Sequence, residues 1–228
     1  MGNPEYMRER ILVIGDDAFA ISTLISALRM YGMDVIGEAK SENVAVNILR
    51  KLQPEVVVLD IKNAGDSAVK IANSMRAENP NIGIVILSSC SDLRFIGELN
   101  SNIPAGAKVL IKKSLVDFGV LCNAISESKQ SGLQKEAVSW INGNVSLQEK
   151  GVLSLMAHLT DTQAETLRLV ADGMTNAQIG RTRYVSEKSV EQVISRVAQE
   201  LNVQPDRNMN MRVQLVSEYY RWIGAPTH

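Results

Sequence analysis

A chain of 228 residues with 45% hydrophobic residues and a formal net charge of -1 is an ordinary globular composition, enough for about two domains with separate cores. It contains no internal repeat, low-complexity tract, glycine-rich phosphate loop or metal-ligand cluster, so nucleotide hydrolysis and zinc chemistry have no foothold. No segment has the character of a membrane span, and residues Met1 to Arg10 lack an apolar signal core, so a cytoplasmic address is expected.

The first 130 residues alternate short apolar runs with amphipathic stretches. Ile11 to Ile14, Val35 to Ala39, Val56 to Asp60, Ile82 to Leu87 and Val109 to Ile111 are rich in Val and Ile and predict five strands. Helices are predicted near Ala18 to Met30, Val44 to Lys51, Ser67 to Glu78, Leu93 to Asn100 and Leu115 to Glu127. That alternation predicts an α/β domain, a doubly wound parallel five-stranded sheet, over residues 8–130. Ligands of such sheets sit at the carboxyl ends of the strands.

The residues at those ends carry chemistry. Asp16 and Asp17 follow the first strand, Asp60 closes the third, Ser88 follows the fourth and Lys113 follows the fifth. Three carboxylates in one crevice form a hard-oxygen site suited to Mg²⁺, while a hydroxyl and an ammonium beside them can grip a phosphoryl group. Singly, each has a plainer explanation, since Asp caps helices and Lys is usually solvated. Cys90 and Cys122, without ligand spacing, are expected to be free thiols.

Jointly, these residues resemble the receiver domain of two-component response regulators, which have a flavodoxin-like fold. The resemblance implies Asp60 as phosphoacceptor, Ser88 as switch hydroxyl, Lys113 as phosphate lysine, and Asp16, Asp17 and Asp60 as ligands of Mg²⁺. Ala105, Gly106 and Ala107 before the fifth strand also fit. The chain departs from the family at Asn63 and Ala64, where a Met-Pro pair is usual. It departs again at Leu110, where an aromatic commonly reports the switch, and at Gly15, where an apolar residue is usual. Lys112 places a second cation beside Lys113.

Residues 131–157 form the expected linker. It is not a plain flexible one, because Trp140 and Ile141 and the stretch Val152 to Met156 make apolar islands. Trp140 is expected to pack on a domain surface, with an aromatic latch between domains as the other reading.

Residues 158–228 predict an all-α domain. Leu167 and Val170 turn one stripe of a helix inward, and Gly173 ends it as a left-handed residue. Thr175 and Gln178 have capping-box spacing at the start of a second helix. Ser186 caps a third, in which Val190, Ile194, Val197 and Leu201 face inward while Lys188, Gln192, Ser195 and Gln199 face out. A short polar face of this kind is what a major groove admits, Gln pairing with adenine and Lys or Arg reaching phosphate or guanine.

The block closely resembles the LuxR-type helix-turn-helix domain, from Leu159 and Thr160 to the Ser-Glu-Lys-Ser-Val entry of the third helix. By that resemblance Lys188, Glu191, Gln192, Ser195 and Arg196 face the DNA, and the last helix, around Met211 to Tyr220, supplies a dimer surface. Val193 and Arg183 depart from the family, which often has His at the first and an apolar residue at the second. From residue 159 onward eight Lys or Arg face eight Asp or Glu, so the domain is neutral and two copies on a paired site are needed for tight binding.

Together the halves resemble the FixJ/NarL-like class of response regulators. The class implies a cytoplasmic, non-enzymatic homodimer that controls transcription, binds double-stranded DNA, and is switched by a cognate histidine kinase at Asp60. The alternative is a pseudo-receiver that binds DNA without phosphorylation and answers to another signal.

Overall fold

The computed structural model describes residues 9–60, 68–89, 92–97, 102–112, 115, 117–141, 158–203 and 209–223. The chain divides into two compact units, residues 1–89 with 101–144, and residues 90–100 with 145–228.

Parallel strands cannot be joined by tight turns, and in the first unit strands and helices alternate accordingly. The elements are β1 (Arg10–Gly15), α1 (Ala18–Met30), β2 (Asp34–Ala39), α2 (Glu42–Leu52), β3 (Val56–Asp60), α3 (Ala68–Glu78), β4 (Gly83–Ser88), β5 (Lys108–Ile111), α4 (Phe118–Gln134) and β6 (Ser139–Ile141). The sheet is parallel throughout, in the order β2-β1-β3-β4-β5-β6. β3 and β4 are buried along their whole length, which is why Val56 to Leu59 and Ile84 to Leu87 are continuous apolar runs rather than alternating strands. Ile11, Val13, Val56, Val58, Val85 and Leu110 share one core with Ile21, Leu24, Ile25 and Leu28 of α1 and Leu121, Ala124 and Ile125 of α4. On α2 and α3, Ala45 and Leu49, and Val69, Ile71, Ala72 and Met75, are buried.

The sheet has six strands, not the five expected. β6 comes from the stretch expected to be linker, pairing Ser139, Trp140 and Ile141 with Lys108, Val109 and Leu110. The turn that brings it there is held by the Gly106 N–H on the Glu136 carbonyl at 2.7 Å and the Ser139 N–H on Ala107 at 3.0 Å. Trp140 thus packs as a half-buried strand residue of the first unit. A three-residue strand is too short for its alternation to be read from sequence.

The second unit contains α5 (Asp161–Ala171), α6 (Asn176–Arg183), α7 (Glu187–Glu200) and α8 (Met211–Ile223). Thr175 and Gln178 form the expected capping box, and Thr160 with Gln163 forms another at α5. Each satisfies two backbone donors that a helix start would otherwise orphan. Gly173 takes φ +82° after α5, the left-handed conformation that favours glycine. Leu167, Val170, Ile179, Val190, Ile194, Val197, Leu215, Tyr219 and Trp222 form the core.

One expected helix is corrected. Where a helix from Leu93 to Asn100 was expected, Leu93–Ile96 is a single 3₁₀ turn ended by Gly97 at φ +89°, and residues 98–100 lie outside the described residues. Its Phe95 is fully buried, and it lies in the core of the second unit. No helix among the described residues is long and apolar enough to cross a membrane.

At the opposite end of the sheet from the strand tips, Glu55 accepts from Lys129 of α4 at 2.5 Å and from the Arg10 N–H at 3.1 Å. The Lys129 hydrogen bond, more than the Arg10 contact, holds the Glu55 carboxyl below its ordinary value. Ser74 and then Lys70 do the same for Glu42. A carboxyl lowered on folding stabilises fully above its unfolded value, and that contribution disappears as pH falls through the folded value. Urea titrations from neutral pH down through the carboxylate range should show stability falling toward acid, with a shallower slope in Glu55→Gln.

Candidate functional site

Strand register brings the expected site residues to one edge. Gly15 pairs with Asp60, so the Asp16 and Asp17 that follow β1 start beside the end of β3. Ser88 ends β4 opposite Ile111 of β5. Asp60 and Ser88 are both buried, at 8% and 3% exposure, an unusual state for a carboxylate. Gly15 makes this closeness possible, because a Cβ there would lie 2.5 Å from the Asp60 carbonyl oxygen and 3.1 Å from Ile21. The departure at position 15 is therefore a steric requirement of this site.

The cation on Asp60 is Lys112. Its ammonium forms a salt bridge and a hydrogen bond with Oδ1 of Asp60, and the Lys112 side chain is itself three-quarters buried. Lys113, the lysine expected to serve the phosphoryl group, lies outside the described residues, as do Lys62, Asn63, Ala64 and Cys90. Leu110 is buried in the core shared with α1 and α4.

Asp17 caps α1, its Oδ1 accepting from Phe19 N and Ala20 N at 3.0 Å each. Asp16 is exposed. The donor chemistry of Asp16, Asp17 and Asp60, all hard carboxylate oxygens, suits Mg²⁺. In this conformation Lys112 supplies the positive charge at Asp60, and among the described residues no three acidic or other ligating side chains cluster around a common point. Cys122 is half-buried, and burial, with Asp117 nearby, pushes its thiol up, so it stays protonated.

On the second unit, Ser186 starts α7, accepting from Ser189 N at 3.1 Å. Val190, Ile194, Val197 and Ala198 are buried. Lys188, Glu191, Gln192, Ser195 and Arg196 are all exposed, and helical spacing puts them on one outward face. That face carries two cations and one anion, with Glu187 and Glu200 at the helix ends. The turn before it is tight, because a Cβ on Gly180 would lie 2.8 Å from the Val185 carbonyl. Tyr184 sits in that turn at φ +56° and 96% exposed.

Arg183 takes a place where an apolar side chain is usual, and its surroundings are polar to match. It donates to Glu165 at 3.0 Å and to the hydroxyl of the fully buried Thr166 at 2.7 Å, tying the end of α6 to α5. Arg212 similarly ties α8 to the α5–α6 turn, donating to Asn176 at 2.8 Å and to the Met174 carbonyl. Sequence reasoning flagged Arg183 but named none of these partners; Glu165 and Thr166, adjacent on α5, were the signal available.

Comparison with known proteins matches two parts of the chain. Residues 11–126 match the response regulator receiver domain, and residues 157–213 match the luxR family of bacterial regulatory proteins. The transcriptional regulatory protein DegU of Brevibacillus brevis is 25% identical, over 81% of each chain. The nitrate/nitrite response regulator NarP of Escherichia coli is 29% identical, over 75% of this chain and 78% of its own. In structure the chain is similar to RcsB from Salmonella enterica serovar Typhimurium, solved bound to a promoter with a phosphomimetic. The TM-score is 0.51 at 17% identity, covering 93% of this chain and 98% of that one, a likeness of fold.

Two substitutions probe this geometry. Gly15→Ala must push the Asp60 carbonyl away, and urea unfolding should register a loss of about 1–3 kcal/mol, the usual cost of overpacking a filled core. Arg183→Ala should destabilise the helical unit by about 1–2 kcal/mol, read by thermal unfolding at high salt, because a charged hydrogen bond to a buried hydroxyl is lost.

Proposed function

The chain belongs to the response regulators that join a receiver domain to a domain of the luxR family, and from that premise we propose a transcription regulator switched by phosphorylation of Asp60. The observation that carries the reading is the Lys112 ammonium on a buried carboxylate at the tip of a parallel strand. Burial shields that oxygen from water, and the lysine stands where new negative charge would arrive.

In the step proposed, a carboxylate oxygen of Asp60 attacks phosphorus on a phosphohistidine of the cognate kinase. The P–O bond forms, the P–N bond breaks, and the imidazole leaves with the electron pair. The phosphoryl group brings roughly two negative charges, which Lys112 follows and toward which Ser88 turns its hydroxyl. Lys113 belongs to the same cationic pair in sequence. Mg²⁺, held by Asp17 and Asp60 with Asp16 beside them, would neutralise part of the transferring charge.

The output is DNA binding by the exposed face of α7. Lys188 and Arg196 supply phosphate or guanine contacts, Gln192 and Ser195 read base edges, and Glu191 can accept from cytosine. With so few cations on that face, affinity depends on two copies meeting adjacent half-sites, so dimerisation is the controlled step. The pseudo-receiver alternative draws on the same salt bridge, since Lys112 already neutralises Asp60.

Incubation of the full chain with Mg²⁺ and acetyl phosphate decides between them: wild type should gain the mass of one phosphoryl group and Asp60→Asn none. An unchanged wild-type mass overturns the switch. For the output, Lys188→Ala should weaken duplex binding on all sequences alike, by about 1 kcal/mol. If no duplex shifts even at low salt, the helical unit serves a protein partner instead.

A further inference from the structure

The turn between α6 and α7 holds a bulky side chain where a small one would cost less. Tyr184 caps α6 in the left-handed conformation, at φ +56°, its N–H donating to the Arg181 carbonyl while the N–H of Val185 reaches back to Gly180 at 2.9 Å. That geometry favours glycine, and a large side chain there strains the backbone. The other described non-glycine residues with positive φ are Gln53, Lys135 and Asn202, whose polar side chains water solvates at little cost. Tyr184 is the aromatic among them, and at 96% exposure it is the most open of the large apolar side chains among the described residues. Neither its ring nor its hydroxyl has a partner among them. A strained residue whose side chain adds nothing to the core is held for something outside the fold.

Charge points to the same surface. Among the described cations of the second unit, Arg94, Arg168, Arg183, Arg212 and Arg221 are each engaged by a carboxylate or carboxamide of that unit. Arg181, Lys188 and Arg196 are not, and all three are exposed on α6 and α7. Arg181 stands one helical turn before Tyr184, and the two line one groove together with Ser186 and Glu187 at the start of α7.

In helix-turn-helix docking the second helix enters the major groove by its N-terminal residues, and the helix before it crosses the sugar-phosphate backbone. The turn between them therefore stands over the backbone that borders the groove. We propose that Tyr184 and Arg181 are positioning residues for the duplex. The Tyr184 hydroxyl donates to a phosphate oxygen beside the groove and its ring covers the adjoining sugar, while Arg181 neutralises a neighbouring phosphate. Such contacts fix the register of α7 and leave the reading of sequence to Gln192 and Ser195. This inference rests on DNA binding by α7.

The test measures binding of the full chain to two labelled duplexes of unrelated sequence, each long enough for two adjacent half-sites, across a salt series. Tyr184→Phe, which removes one hydroxyl, should weaken binding to both alike by about two- to tenfold with the salt slope unchanged. Tyr184→Gly should weaken it further yet melt no lower than wild type, since glycine takes a positive φ without strain. Arg181→Ala should lower the slope of log affinity against log salt by about 1. Wild-type affinity in both Tyr184 variants, or a slope unmoved by Arg181→Ala, overturns this inference alone, as does a melting temperature of Tyr184→Gly that falls in step with its binding. A wild-type chain that shifts neither duplex even at low salt overturns the DNA reading and this inference with it.

Discussion

A carboxylate removed from water must meet a cation or give up its charge, and the first unit is arranged around that requirement at Asp60. The residue ends a strand that is buried from end to end, and its cation is supplied from just past β5, with β4 lying between the two strands. Helix crossovers that order the strands β1-β3-β4-β5 are thus what allow a lysine distant in sequence to reach it. Gly15 lets β1 approach closely enough to bring the acidic pair alongside.

The second unit solves a different problem. It is small, its formal charge from residue 159 onward is balanced, and a charged side chain occupies a position that packing would give to an apolar one. Arg183 is accommodated because Thr166 and Glu165 present oxygen to it on two sides. Caps and this polar tie add to a core in which Ile179, Val190, Ile194 and Val197 meet the aromatic group at α8. A balanced charge also limits how firmly one copy can hold a polyanion.

Most of the fold was legible because long runs of Val and Ile announce buried parallel strands, and because Thr175, Gln178, Gly173 and Ser186 each mark a helix end by a local physical rule. The placement of Asp60, Asp16 and Asp17 just at strand ends was legible for the same reason, because strand ends could be located. What escaped was decided by distant contacts. That the Lys112 ammonium reaches Asp60 was one such contact, set by the geometry at the end of β5. The periodic stretch from Leu93 suggested a helix, whereas Leu93–Ile96 is a 3₁₀ turn whose Phe95 packs on Trp222. β6 was too short to announce itself.

That sixth strand bears on how such proteins can be taken apart and recombined. An open parallel edge offers unpaired backbone groups to any passing chain, and β6 closes the one that β5 would present. The sheet of the first unit therefore ends with Ile141 and not before α4, and a chimera joined at residue 130 would inherit a raw edge along Lys108 to Leu110. The apolar island at Trp140 and Ile141 belongs to the sheet before it, and exchange of output domains between regulators must carry it along.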